Sequence, residues 1–153
     1  MQHPGHLVRR TLQAMNRLWD QDVSRSITSP QFAALNALYQ EPFLDQRTLG
    51  ERISLDRSTM AAVVARLRAR GLVSTERDPR DGRRKTINLT AKGSAALQTL
   101  IPRTRVMTGH LVRALAAEER EDLLRLLRAV VRANESRAAR DGGRRRRPAG
   151  PRL

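Results

Sequence analysis

Basic side chains cluster in residues 78–85, which read Asp-Pro-Arg-Asp-Gly-Arg-Arg-Lys. A proline and a glycine this close together indicate a tight turn between two strands. An arginine projected from such a turn suits the minor groove of duplex DNA, where narrow A·T runs concentrate negative potential. We therefore predict that the basic residues of this turn contact DNA, namely Arg80, Arg83, Arg84 and Lys85. Asp81 is predicted to hold the loop by accepting hydrogen bonds from backbone or arginine donors.

A second polar group follows Asp56, at the start of an apparent helix. The N-terminal residues of a recognition helix reach base edges in the major groove. Arginine pairs there with guanine through two hydrogen bonds, and a serine or threonine hydroxyl can form a hydrogen bond with either type of base. The residues predicted to read or flank bases are Arg57, Ser58, Thr59 and Arg66. A shorter helix after Asp45 is predicted to bind phosphates through side chains and free N–H groups. Its contacting residues are Gln46, Arg47 and Thr48.

The first predicted helix carries a line of polar side chains at helical spacing, which are His6, Arg10, Gln13 and Arg17. Four residues of the next helix and turn could face this line, namely Phe32, Asn36, Tyr39 and Phe43. Arginine pairs with a carboxylate, while aromatic rings pack against a planar ligand. The combination predicts a cleft for a small aromatic carboxylate. The alternative is that the polar line is solvated and that the aromatic residues belong to the core.

The net charge of +15 favours a polyanionic partner, because neutralised phosphates release condensed counterions. Aromatic residues make up only 3% of the chain, which disfavours a base-stacking platform for single strands. Double-stranded DNA is therefore the predicted partner. Two alternatives stay open, a constitutive or architectural DNA-binding protein without a small-molecule inducer, and an RNA-binding module.

Several classes of function are disfavoured by the residue types that the sequence lacks. It has no cysteine, which excludes disulfides and cysteine-ligated zinc. Its three histidines form no close cluster with carboxylates, so no metal site is expected. No nucleophile lies beside a base and no glycine loop could cradle phosphate, so we expect neither enzyme activity nor a cofactor. No apolar run approaches the ~20 residues of a membrane-spanning helix, and the expected location is cytoplasmic and nucleoid-associated.

The periodicity of apolar residues predicts a mainly α-helical chain with a small β-wing. Residues 29–93 are predicted to form helices followed by a hairpin. Asp45 and Asp56 are expected to cap two of these helices, and Gly71 is expected to end one. This segment is the predicted winged helix–turn–helix domain.

The flanking segments have a different character. Residues 1–28 and 94–135 predict long helices with apolar faces that are too extensive to bury within one subunit, which favours a homodimer. Residues 136–153 lack large apolar side chains except at the last residue, and they contain the run Arg144 to Arg147. They predict a disordered basic tail.

Three segments resemble the MarR family of bacterial transcription regulators. They are Asp56-Arg57-Ser58-Thr59 with Leu67-Arg68-Ala69-Arg70-Gly71-Leu72-Val73, the turn Asp81-Gly82-Arg83, and Leu89-Thr90-Ala91-Lys92-Gly93. The resemblance covers about residues 5–135. It implies a winged helix–turn–helix homodimer that binds a pseudo-palindromic operator, with Asp81 and Arg83 in the family's wing positions, and we predict that it acts as a repressor. The opening helix and Leu44-Asp45-Gln46 are similar to members that respond to hydroxylated aromatic acids such as hydroxynicotinate or hydroxybenzoate. That similarity implies release of the operator by such an acid.

Overall fold

The structure, a computed structural model, describes residues 3–78, 82 and 84–145, with side chains as far as residue 134. It divides into two compact units, Met1–Leu111 and Val112–Leu153. In the first unit the elements are α1 (Pro4–Leu18), a π-helical turn (Trp19–Val23), α2 (Ser29–Gln40), α3 (Gln46–Arg52), α4 (Arg57–Ala69), β1 (Val73–Arg77), β2 (Lys85–Leu89) and α5 (Ala91–Leu111). The second unit contains α6 (Ala117–Arg145). The predicted mainly α-helical fold with a small β-wing is confirmed.

The two strands pair in antiparallel register, with Val73 opposite Leu89 and Arg77 opposite Lys85. The backbone N–H of Ile87 also donates to the carbonyl of Leu44, at 2.8 Å, which attaches the hairpin to the segment before α3. Apolar residues of α2, α3, α4, β2 and α5 form one core beneath the helix–turn–helix. Its fully buried members include Leu35, Leu38, Leu49, Leu67, Ile87 and Leu97.

Local capping explains where the DNA-binding helices begin and end. Asp45 accepts from the backbone N–H of Thr48 at the start of α3, and Asp56 caps α4. Such side-chain acceptors satisfy N–H groups that have no partner inside the helix. After α4 the chain reverses at Gly71, whose φ of 67° lies in the left-handed region that favours glycine. All three predicted boundary residues are confirmed.

The start of α5 is held against the end of α4 by a short motif. The Thr90 hydroxyl donates to the Gly71 carbonyl at 2.7 Å and accepts from the Gly93 N–H at 3.0 Å. A Cβ on Gly93 would lie 1.9 Å from the carbonyl oxygen of Leu72. The close approach of two backbones therefore explains the threonine and the glycine of Leu89-Thr90-Ala91-Lys92-Gly93.

The backbone of α6 is helical as far as Arg145. This helix includes residues 136–145, which the sequence predicts to lie in a disordered tail. Alanine and arginine are strong helix formers, so the loss of large apolar residues after Val131 does not end the helix at residues 137–140. Residues 146–153 lie outside the described part of the chain.

Within the described residues, no helix has the length and hydropathy needed to cross a membrane.

Candidate nucleic-acid interface

Helix α4 separates a buried apolar face from an exposed polar one. Met60, Val63, Val64 and Leu67 are buried in the core. The four residues predicted to read or flank bases lie on the exposed side, and these are Arg57, Ser58, Thr59 and Arg66. The small side chain of Ala62 is exposed between them. This arrangement leaves the N-terminal half of α4 accessible to a DNA groove.

The Asp56 carboxylate organises the first turn of α4. It accepts from the backbone N–H groups of Ser58 and Thr59, both at 2.9 Å. It also accepts from both hydroxyls, each at 2.5 Å. These donors, the Ser58 hydroxyl first among them, hold the pKa of Asp56 well below its usual range. Asp56 is therefore a carboxylate at neutral pH.

The start of α3 is only partly available to phosphates. The N–H of Thr48 donates to Asp45 at 2.9 Å. The Arg47 side chain pairs with Glu51 at 2.8 Å, and both side chains are exposed. An exposed pair of this kind contributes little to stability and is readily exchanged, so Arg47 can still turn to a phosphate. Gln46 lies at the first position of the helix.

Arg84 of the hairpin pairs with Asp45. The sequence predicts Arg84 as a DNA contact, and that role stays a prediction; in the structure its half-exposed guanidinium connects the hairpin to the N-terminus of α3. Asp45 therefore stabilises both a helix end and the hairpin, and the Thr48 N–H first, with Arg84 after it, lowers the pKa of Asp45. Lys85 is exposed at the start of β2. The predicted wing-tip residues Arg80, Asp81 and Arg83 lie outside the described residues.

The eight predicted ligand residues do not meet within one chain. Phe32 and Asn36 line a cavity of about 470 Å³. Tyr39 and Phe43 line a separate open cavity of about 460 Å³ beside the base of the hairpin. The polar residues of α1 are exposed and line neither cavity among the described residues, and they are His6, Arg10, Gln13 and Arg17. Helical spacing places the four polar residues on one side of α1, but it could not show what that side contacts.

The cavity beside Phe32 has an aromatic wall and several polar groups. Trp19 and Phe32 pack with ring centroids 5.4 Å apart and planes inclined by 58°. Most of the lining residues were not predicted from the sequence, and among these are Trp19, Arg52, Thr104 and Met107. They come from the π-helical turn, α3 and α5, so no local pattern connects them. The Arg52 guanidinium pairs with Glu41 at the end of α2.

The family model of the MarR family matches residues 25–84, from the segment before α2 to the hairpin. The HTH-type transcriptional repressor NicR of Pseudomonas putida is 34% identical over 133 residues, which cover 86% of this chain and 84% of NicR. The chain belongs to the MarR family. The named relatives are transcriptional regulators, which agrees with a regulator rather than an enzyme.

Solved structures of this family share the fold, and they include a complex with a ligand and a complex with operator DNA. PcaV of Streptomyces coelicolor, in complex with its natural ligand, is 50% identical with a TM-score of 0.82, covering 86% of this chain and 94% of PcaV. BpsR of Bordetella bronchiseptica, whose DNA binding is regulated by 6-hydroxynicotinic acid, is 30% identical with a TM-score of 0.77, covering 83% and 97%. A mutant of MarR of E. coli in complex with operator DNA is 26% identical with a TM-score of 0.76, covering 82% of this chain and 91% of MarR. This MarR-family chain is accordingly a DNA-binding transcriptional regulator of the winged-helix type.

Proposed function

We propose that this protein is a homodimeric repressor that binds a pseudo-palindromic operator and releases it when a small aromatic acid binds. The observation that carries the proposal is the position of Trp19. Its side chain lines the cavity beside Phe32 and also a second cleft that runs along α4. A ligand that displaces this side chain would therefore act directly on the recognition helix.

The second cleft is bordered by four residues of α4, which are Thr59, Ala62, Val63 and Arg66. The Trp19 indole N–H donates to the carbonyl of Ile27 at 2.7 Å. At the other end of α4, Arg70 donates to the carbonyl of Ser26 at 2.5 Å. The loop between the π-helical turn and α2 thus connects the cavity wall to the C-terminus of the recognition helix.

The chemistry of the first cavity suits a planar acid. Its volume of about 470 Å³ is within the range of small-molecule sites. Trp19 and Phe32 offer aromatic faces, Asn36 offers an amide, and Arg52 offers a guanidinium that a carboxylate can share with Glu41 or take from it. The regulation of BpsR by 6-hydroxynicotinic acid and the ligand complex of PcaV support this class of ligand.

Dimerisation is supported by apolar side chains that the single chain leaves in water. Val8 of α1 is 65% exposed, and Val106 of α5 is 55% exposed. Five large apolar residues of α6 are at least half exposed, namely Leu124, Leu126, Leu127, Val130 and Val131. A two-fold partner would bury such faces. It would also place two copies of α4 about 34 Å apart, one turn of DNA.

Operator release would follow if the ligand binds more tightly to one spacing of the two recognition helices than to another. A ligand shifts a conformational equilibrium only by the difference in its affinity for the two states. An acid that binds best when the two recognition helices are wrongly spaced for the operator would lower DNA affinity. In the dimer, α1 of one subunit is the element that would bring Arg10 and its polar line to the partner's cavity.

A thermal-shift screen of hydroxylated aromatic acids tests the ligand directly. At a hundredfold excess over Kd, binding should stabilise the folded state by about 2.7 kcal/mol, which raises Tm by roughly 5–10 °C. Any acid that does so should also release a labelled operator. If no acid raises Tm or releases DNA, the inducer part of the proposal is wrong.

Two variants locate the group that binds the carboxylate. Arg10→Ala is expected to abolish release while DNA binding persists, and Arg52→Gln should weaken the response at least about tenfold. Arg105→Ala removes an exposed cation from α5 and should respond like the native chain. A normal response of Arg10→Ala would remove α1 from the site, and a normal response of both variants would place the ligand elsewhere.

A further inference from the structure

We infer that Asp56 fixes the hydroxyls of Ser58 and Thr59 as hydrogen-bond acceptors toward DNA, so that α4 selects adenine or cytosine where these hydroxyls meet the major groove. The inference rests on the proposed function only in requiring that α4 reads an operator. It does not depend on the inducer or on the wing. It makes Asp56 a specificity-determining residue that never touches a base.

The inference starts from the position of two protons. A serine or threonine hydroxyl has one proton to donate and two lone pairs that accept. Both hydroxyls lie 2.5 Å from a carboxylate oxygen of Asp56. A carboxylate has no proton and can only accept, so the proton of each hydroxyl must lie between the two oxygens.

These two bonds are difficult to exchange for a bond to a base. Hydrogen bonds to a charged acceptor are shorter and roughly twice as strong as bonds between neutral groups. Asp56 is held in place by the N–H groups of Ser58 and Thr59, both at 2.9 Å, which define the first turn of α4. Both hydroxyl protons are therefore used in hydrogen bonds to Asp56, within the helix cap. Toward DNA, each hydroxyl can act only as an acceptor.

Base edges in the major groove carry both hydrogen-bond donors and hydrogen-bond acceptors. Adenine and cytosine carry amino groups that donate, whereas guanine O6 and N7 and thymine O4 only accept. Two acceptors cannot bond, and the unpaired group is left without its hydration. We expect guanine or thymine at these positions to weaken binding by roughly 5- to 100-fold. Arg57 and Arg66 have only donors and are expected to prefer guanine.

The test uses the full-length chain and an operator selected from random duplexes. Each base pair of a half-site is replaced by the other three, and affinities are measured for the native chain and for Ser58→Ala, Thr59→Val and Asp56→Asn.

Valine keeps the shape of threonine and can still contact a thymine methyl group, so Thr59→Val removes the hydroxyl alone. Asparagine caps helices about as well as aspartate. Its amide N–H can donate to one hydroxyl, which frees that proton for DNA. Arg57→Ala serves as the control and should change the preference at a different base pair.

The expected result has two parts. At each base pair whose preference is flattened by Ser58→Ala or Thr59→Val, replacing the adenine or cytosine by its analogue without the amino group should weaken binding of the native chain more than binding of that variant. At one or both of them Asp56→Asn should tolerate the reversed base pair, which presents an acceptor in place of the amino group, with Tm close to the native value. An amino group whose removal weakens the native chain and the hydroxyl variant equally would overturn the inference. An Asp56→Asn profile identical to the native one, or no change of preference in any hydroxyl variant, would overturn it too. A native chain that selects no DNA sequence would overturn both the proposed function and this inference. Failure of every acid in the ligand screen would contradict only the inducer part of the proposed function and would leave this inference unaffected.

Discussion

Gly93→Ala is expected to destabilise the first unit by about 3 kcal/mol, the largest effect on stability that we predict for a single added methyl group. The new Cβ would lie 1.9 Å from the carbonyl oxygen and 2.9 Å from the carbonyl carbon of Leu72. Both atoms belong to the backbone, so no side-chain rotation relieves the clash. The turn between α4 and β1 must therefore move away from α5, which breaks the hydrogen bonds made by Thr90.

Thermal unfolding followed by circular dichroism measures this effect. A loss of about 3 kcal/mol corresponds to a fall in Tm of roughly 6–12 °C for a protein of this size. Gly109→Ala is the matched control, because it adds the same methyl group to the same helix with nothing within 4 Å. Alanine should stabilise α5 there by about 0.5–1 kcal/mol. If the two variants melt within a degree of each other, the packing of Gly93 against Leu72 is not as described.

Leu127→Glu is expected to dissociate the proposed homodimer and to weaken operator binding by about 10²–10⁴-fold, because the two half-sites are no longer bound as one linked unit. Leu127 is 50% exposed in the single chain. Half of its surface is therefore available to a partner, and the main cost of the substitution is expected at the proposed interface between subunits. A buried and unpaired carboxylate in that interface would be strongly destabilising.

Arg128→Gln is the control for this variant. It changes the net charge by the same amount at the next position of α6, where the side chain is exposed. We expect it to remain dimeric and to bind the operator with little change, as judged by sedimentation and by fluorescence anisotropy. A dimer that survives Leu127→Glu with full operator affinity would show that this part of α6 is not in the interface.

Local signals in the sequence predicted the helix–turn–helix well. Asp45, Asp56 and Gly71 act on their own helix ends, so residue type and position were sufficient to place them. The cap at Asp56 could also have indicated the hydroxyl bonds, since Ser58 and Thr59 lie within its reach in any helix that starts there.

Local signals in the sequence could not predict contacts between residues that are far apart in the chain. Arg84 resembles every other arginine of the turn in sequence, yet it pairs with a carboxylate 39 positions away. The cavity beside Phe32 includes Trp19, Arg52 and Met107, which only the folded chain brings together. Tyr39, predicted to share a wall with Phe32, lines a different cavity because the two residues lie almost two helical turns apart.

The measurement that tests the central claim most directly is a titration of the native chain onto its selected operator at physiological salt, with a scrambled duplex as competitor. We predict two chains per operator and a preference of about 10³-fold or more over the scrambled sequence. Binding of a single chain, or equal affinity for both duplexes, would contradict the account of a dimer that reads DNA through α4.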